Sequence, residues 1–255
     1  MDEAVRRGDE TNPEAAPRRC RGQGSPSGSA PHIGTLNEKP LHAALKAWLA
    51  EEGDRFEVLV DGFVVDILRG ETAIEIQTGS ASGLERKLRA LLKHRRVRLV
   101  LPIPAVRTIV RLDEPQHDRR ARTSPQRGHA VDAFRELVFL RDLLGDANLS
   151  IDALLIRETE LRRASASPRG RRGSFREERH LVEVIDCLSF HHPADYLAVV
   201  PAGLEEPFTT ADLARSIGRP RWMAQKIAYV LRGMGVLIPT GRRGNSVLYR
   251  RNVGS

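Results

Sequence analysis

Asp66, Glu75 and Gln77 are the residues of this chain whose types and spacing suit hard-metal chemistry. They lie on two short apolar runs, Phe56–Leu68 and Ala73–Thr78, separated by Arg69-Gly70-Glu71-Thr72. β-Branched and aromatic residues fill both runs, and Gly70 supplies a turn, so the pattern predicts a β-hairpin. Strand side chains alternate between faces, which puts Val64, Asp66 and Leu68 on one side of the first arm and Ala73, Glu75 and Gln77 on one side of the second. If those faces coincide, three oxygen-bearing side chains converge as a divalent cation requires. Asp66 and Glu75 would hold such an ion, Mg²⁺ or Mn²⁺, which polarises a bound oxygen and activates water. Against this stands a plain structural reading, in which Asp66 pairs with Arg69 and Glu75 is a solvated strand-face acid.

The elements that must position these residues follow from periodicity. Residues 1–29 are rich in Pro, Gly, Ser, Arg and Glu and read as a disordered tail. An amphipathic helix begins near Asn37 or Glu38 and carries Leu41, Leu45 and Leu49 on one face. After the hairpin, Ser80 to Gly83 introduces a helix with Leu84, Leu88, Leu91 and Leu92 on its buried side. Val97–Pro102 and Thr108–Leu112 read as strands, Asp113–Gly128 as a polar loop, Ala133–Leu144 as helix and Ile151–Ile156 as strand. Strand, crossover helix and strand in series predict parallel pairing within a mixed sheet over residues 30–161. Residues 162–176, arginine-rich and broken by Gly170 and Gly173, read as a basic linker, and residues 177–255 as a helical region, with helices over Glu177–Leu188 and Pro193–Val200.

This arrangement resembles the PD-(D/E)xK, or restriction-endonuclease-like, nucleases. The resemblance implies an α/β fold with a mixed sheet and flanking helices, and Mg²⁺-dependent phosphodiester hydrolysis of DNA. It implies that Glu38 is the helix acid, Asp66 the metal-binding aspartate and Glu75 the acid opening the motif on the next strand. Gln77 stands where that family commonly has lysine. Glutamine carries no positive charge, so the cation near the reacting phosphate would come from Lys87 on the following helix, with Arg86 farther from the site. Thr78, Ser80 and Ser82 would contact phosphate at its mouth.

The last fifty residues resemble a winged-helix domain: Thr209 and Asp212 form a capping box for one helix, Gly218-Arg219-Pro220 a turn, Arg221–Met234 a second helix, and Gly241–Asn245 the tip of a hairpin. Between residues 207 and 255 every charged side chain except Asp212 is basic. The expected nucleic-acid contacts are Arg221, Gln225 and Arg232, with Arg219 and Lys226 nearer phosphate and Arg242, Arg243 and Asn245 on the wing. A net charge of +8 and a pI near 10.1 agree with a polyanionic partner. Double-stranded DNA is the expected partner, and double-strand cutting would call for a homodimer. Two cysteines, Cys20 and Cys187, are too few for a disulfide framework. With no apolar run of spanning length and no greasy leader, a cytoplasmic protein with no membrane contact is expected. The competing function is a non-enzymatic winged-helix DNA-binding regulator whose N-terminal domain senses a ligand or forms a dimer.

Overall fold

A computed structural model of the protein describes residues 39–112, 121–166 and 172–252, and for 164–166 and 172–177 the backbone alone. The chain is α/β with a large mixed sheet. In order it runs α1 (Pro40–Leu49), β1 (Arg55–Val60), β2 (Phe63–Arg69), β3 (Thr72–Ile76), α2 (Glu85–Leu91), β4 (Arg96–Arg111), β5 (Arg122–Thr123), α3 (Phe134–Leu137), β6 (Leu149–Ala166), β7 (Arg172–Phe190), α4 (Pro193–Leu197), α5 (Thr210–Ser216), α6 (Arg221–Gly233), β8 (Leu237–Arg243) and β9 (Ser246–Arg251). The sheet has the order β1-β2-β3-β4-β6-β7, with β5 added to β4. β3 pairs β4 in parallel, as does β4 with β6, and the remaining pairs are antiparallel.

Both faces of the central strands are covered, which is why β3, β4 and the start of β6 are nearly continuous apolar runs. On one face Leu41, Leu45 and Leu49 of α1 pack on Ile67, Ile74, Ile76, Val100, Leu154 and Ile156. On the other, Leu68, Ala73, Leu99, Leu101 and Ala153 meet Leu88 and Leu91 of α2 and Phe134 and Leu137 of α3. The same core continues without a break into Met223, Ile227 and Leu231 of α6. Phe134, Phe190 and Tyr196 fill its centre: Phe190 stacks on Tyr196 with ring centroids 4.7 Å apart, and Phe134 meets both edge-on.

Several expectations are corrected. The first arm of the hairpin is itself a hairpin, because Asp61 and Gly62 adopt φ of 49° and 80° and turn β1 into β2. The two strands expected around Pro102 and Thr108 are one strand, β4, with a register shift between Pro104 and Val106. The helix expected over Ala133–Leu144 is a chain of short pieces, α3 flanked by 3₁₀ turns at Ala130–Ala133 and Arg141–Leu143. The stretch read as linker and helix is largely strand: β6 runs to Ala166 and β7 occupies Arg172–Phe190. Leu181, Val184 and Leu188 do recur at helical spacing, but Val182, Val184 and Ile185 are β-branched and favour the pleated form. Cys187, buried at α1, is disulfide-bonded, although two cysteines read as too few for a disulfide framework; Cys20 lies outside the described residues. Asn37 and Glu38 lie outside the described residues; α1 begins at Pro40, with Lys39 in the cap position and no side-chain cap.

The C-terminal pattern of elements is as read. Thr209 and Asp212 form the reciprocal capping box of α5, Gly218 turns the chain at φ 61°, and β8 and β9 make a two-stranded hairpin behind α6. Among the described residues no helix is long and apolar enough to cross a membrane.

Candidate functional site

Asp66 sits where regular strand pairing gives way on both sides. Toward β3, the ladder runs Arg69↔Thr72, Leu68↔Ala73 and Ile67↔Ile74 and then stops. The next amide, that of Ile76, donates to Asp66 Oδ2 at 2.7 Å, so a carboxylate takes the place of a strand carbonyl. Toward β1, Phe56↔Ile67 and Val58↔Val65 are paired, but Glu57 between them adopts φ 51° and is out of register with Asp66. A left-handed glutamate costs roughly 1–2 kcal/mol. Lys46 Nζ, itself buried, holds Glu57 Oε1 at 2.8 Å and fixes it there. β3 nevertheless stays anchored to β4 by the Gln77 amide donating to Val100 O at 2.9 Å. The result is a fork, open between β2 and β3, with Asp66 in it.

Register places Glu75 on the same side as Leu68 and Ala73, as the alternation of side chains requires. It is 4 % exposed, yet only part of its carboxylate is matched. Lys87, reaching in from α2, donates from Nζ to Glu75 Oε2 at 2.5 Å and to Val64 O at 2.6 Å. Glu75 Oε1 is buried with no hydrogen-bond partner. Such an atom is costly to leave unmatched and marks a site suited to an external donor or ion.

The electrostatics of the two acids diverge. Burial, and then the negative charge of Asp66, push Glu75 up to about 7, although Lys87 pulls the other way. Burial also acts to raise Asp66, but the hydrogen bond and charge of His42, the Ile76 amide and the charge of Lys87 together hold it below its usual range. His42 Nε2 lies 3.2 Å from Asp66 Oδ2. Two neighbouring carboxylates with opposed shifts are the pattern of a site where negative charge is concentrated.

Of the residues expected at this site, the fold brings Asp66, Glu75 and Lys87 together. Gln77 is not joined to them: its Nε2 donates to Ser80 O at 2.5 Å, so the amide closes its own turn. Ser80 Oγ accepts from the Ser82 amide, and Thr78 O accepts from Arg179. Among the described residues no three His, Cys, Asp or Glu side chains form a ready metal cage. His42 was not singled out by sequence reasoning. Its only signal is a polar residue between Leu41 and Leu45 in an otherwise amphipathic helix.

A second acidic cluster was equally unforeseen. Glu158 and Glu160 of β6 are buried; Arg107 Nε contacts Glu158 Oε1 at 2.7 Å and Glu160 Oε2 at 3.2 Å, and Arg162 Nε contacts Glu160 Oε1 at 2.5 Å. The signal is there in retrospect, since acids two apart in a strand share a face, and that face is otherwise Leu154 and Ile156.

A cleft of about 720 Å³ opens next to the carboxylates and not around them. Its walls are the turn after β3 (Gln77, Thr78, Gly79), the middle of β4, the segment 124–128 and the start of α6. Gly128 fixes the third wall: its amide donates to Pro104 O at 3.0 Å, and a Cβ there would lie 2.5 Å from that oxygen.

The expected nucleic-acid residues divide into two groups. Arg219 and Lys226 face the sheet domain: Arg219 Nη2 donates to Asp132 Oδ2 and Arg127 O, both at 2.8 Å, and Lys226 Nζ to Arg135 O at 3.3 Å. These contacts seat α6 on the segment 127–141, helped by Arg141 over the Tyr229 ring at 4.7 Å. Arg221, Gln225 and Asn245, with Arg232, line a groove of about 250 Å³ between α6 and the hairpin. Arg242 is exposed at the hairpin tip, while Arg243 is paired back to Asp212. The Thr209 bonds, chiefly, and Arg243 hold Asp212 down to about 2.

Comparison with known proteins bears on the whole of this unit. The family described as a domain of unknown function (DUF8091) matches residues 39–191, from the start of α1 through β7, with His42, Asp66, Glu75 and Lys87 inside it. A protein of Treponema pallidum (strain Nichols) described as uncharacterized is 31 % identical over 221 residues, which covers 86 % of this chain and 87 % of that protein. No solved structure matches the chain significantly. By the extent of both matches, the chain belongs to the DUF8091 family.

Proposed function

We propose that this chain is a metal-dependent nuclease of restriction-endonuclease-like architecture that grips DNA through a winged-helix domain formed by α5, α6 and the β8–β9 hairpin. The observation that carries the reading is the fork: Asp66 and buried Glu75 on adjacent strands, Lys87 on Glu75, and Glu75 Oε1 without a partner. The donor set fits a hard divalent cation, since both ligands are carboxylates and one has an oxygen that nothing in the protein satisfies. Asp66 and Glu75 would hold Mg²⁺ or Mn²⁺; when bound, such an ion polarises a phosphoryl oxygen and lowers the pKa of water.

The protein's own residues supply the rest. Ile76 and His42 orient Asp66 through two contacts on one oxygen, Oδ2. Lys87 supplies positive charge where Gln77 cannot, and its tie to Val64 O keeps the ammonium at the fork. The DNA contacts of the winged helix are Arg221, Gln225, Arg232, Arg242 and Asn245, because Arg219 and Lys226 hold α6 against the sheet domain.

Asp66→Ala is the test. In Mn²⁺ buffer the purified variant should lose cleavage of linear duplex DNA while its affinity for the same DNA in EDTA stays within about twofold. Equal cleavage by variant and wild type rejects the assigned centre. One observation favours a second reading, a DNA-binding regulator without catalysis: Lys87 already neutralises one oxygen of Glu75, and no third acid completes a cage among the described residues. That reading expects no Mn²⁺-dependent cleavage from wild type.

A further inference from the structure

The cleft beside the carboxylates has a lining that the winged-helix reading does not use. Arg107, Arg127, Arg135 and Arg219 lie on its walls, against the acids Asp132 and Glu136. Both acids are engaged with the protein: Asp132 accepts from the His129 amide at 2.9 Å and pairs with Arg219, and Glu136 accepts from the Ala81 amide at 2.8 Å. A guanidinium has five N–H donors, and among the described residues each of these four arginines bonds protein acceptors through a single nitrogen. The Nε of Arg219 is buried without a partner.

The cleft also holds an aromatic ring. Trp222 lines it and is 44 % exposed, with the Arg135 guanidinium carbon 5.0 Å from its ring centre. An exposed tryptophan in a positively charged groove is the arrangement that takes unpaired bases: arginines track the backbone and the ring stacks on a base face. Width decides the form of the ligand. A cavity of about 720 Å³ accepts a few nucleotides of one strand, whereas a B-form duplex, whose major groove alone is about 12 Å wide, cannot enter it.

Position ties the cleft to the rest of the molecule. Arg221 and Trp222 are neighbours at the start of α6; the first lines the groove against the hairpin and the second lines the cleft. The cleft is also lined by Gln77, two residues beyond Glu75 on the same chain. A strand leaving a duplex held at α6 therefore has a charged path toward the fork.

We infer that the cleft is a binding site for single-stranded nucleic acid, so that the substrate class of this protein is a duplex with a single-stranded extension. The inference rests on the nucleic-acid reading above, but it can stand or fall apart from cleavage. The test uses the full chain in EDTA with fluorescein-labelled dT8, a blunt duplex and free dTMP as probes. Trp222→Ala should weaken dT8 binding about 5- to 150-fold, the range of one lost base stack. The double variant Arg127→Ala/Arg135→Ala should weaken it at least tenfold and flatten its salt dependence. Trp222→Phe, which keeps a stacking face, should bind within a few-fold of wild type, and thermal melting confirms that each variant is folded. Blunt-duplex affinity should change less than threefold in all of them. Unchanged dT8 binding in the folded alanine variants, an equal loss of duplex binding, or dTMP binding as tight as dT8 would each overturn the inference. Asp66→Ala should retain dT8 binding. If it does and no protein cleaves, the nuclease reading fails while the cleft stands; if Asp66 controls cleavage but the cleft variants bind dT8 normally, the reverse holds.

Discussion

Replacing Glu75 by glutamine should make the protein more stable above neutral pH while removing the metal-dependent cleavage proposed for it. Glu75 rises from the usual 4.5 to about 7 in the folded protein. The native state therefore holds a proton that the unfolded chain releases between those values, and the stability of the wild type must fall as pH rises through that window. At about 1.4 kcal/mol per pH unit the loss is on the order of 3 kcal/mol, complete above pH 7. With 4 % of the residue exposed, solvent does little to screen it. Glutamine has nearly the shape of the protonated acid and never ionises, so Glu75→Gln should match wild type near pH 4.5 and exceed it by about 3 kcal/mol at pH 8. For a chain of this size that is roughly 6–12 °C in melting temperature. Urea unfolding at half-unit steps from pH 4.5 to 8.5 measures the difference directly. Asp66, shifted in the opposite direction, changes its contribution only below its ordinary value of 3.8 and leaves this window clear. A Glu75→Gln protein equal to or weaker than wild type at pH 8, or a difference that does not vary with pH, would refute the argument. Mn²⁺ supplies a second arm: at a hundredfold excess over Kd it should stabilise wild type at pH 8 by about 2.7 kcal/mol and the variant by far less.

Three further perturbations probe the supports of the two sites. His42→Ala removes one of two partners of Asp66 Oδ2 and should destabilise the protein by about 1 kcal/mol at pH 7, the deficit shrinking below pH 4 as Asp66 protonates; unchanged urea unfolding would mean that the contact contributes nothing. Gly128→Ala drives a methyl into Pro104 O and the Ile103 side chain and should cost about 1–3 kcal/mol, whereas a neutral result would show that segment 124–128 yields easily. Arg242→Ala should weaken duplex binding and reduce the magnitude of the slope of log K against log salt by about 0.9, and an unaltered slope would remove the hairpin tip from the interface.

What could be read from the chain alone follows how local the physics is. The capping box of α5, the turn at Gly218 and the apolar stripe of α6 depend on residues within a few positions of one another, and each is where its pattern puts it. Alternation likewise puts Glu75 on the side of Ala73, but it does not carry through Asp66: Val65 and Leu68 both enter the core under α2, and Asp66 meets His42 of α1 while Glu75 meets Lys87 of α2. β7 reads as helix because Leu181, Val184 and Leu188 recur at helical spacing, and the choice is made by antiparallel pairing with β6 along most of the strand and by α1 packing over Cys187. His42 and Lys46 were opaque for another reason: their partners, Asp66 and Glu57, are brought to them by the turn at Asp61-Gly62, and nothing in α1 announces a carboxylate above it.

The fork itself is of that second kind. It is made of pairings that do not form, at Glu57 opposite Asp66 and at Asp66 opposite Glu75, and an absent strand bond leaves no mark on residue type. What the chain does carry is the compensation: a lysine in α1 to hold the left-handed glutamate, a carboxylate to satisfy the Ile76 amide, and a lysine in α2 to partner a buried acid. Such compensation would be unnecessary for a sheet that simply closed with Ile or Val at positions 66 and 75. Three polar devices maintaining one local opening, with an oxygen still unmatched at its centre, argue that the opening is retained for a ligand and not tolerated as a defect.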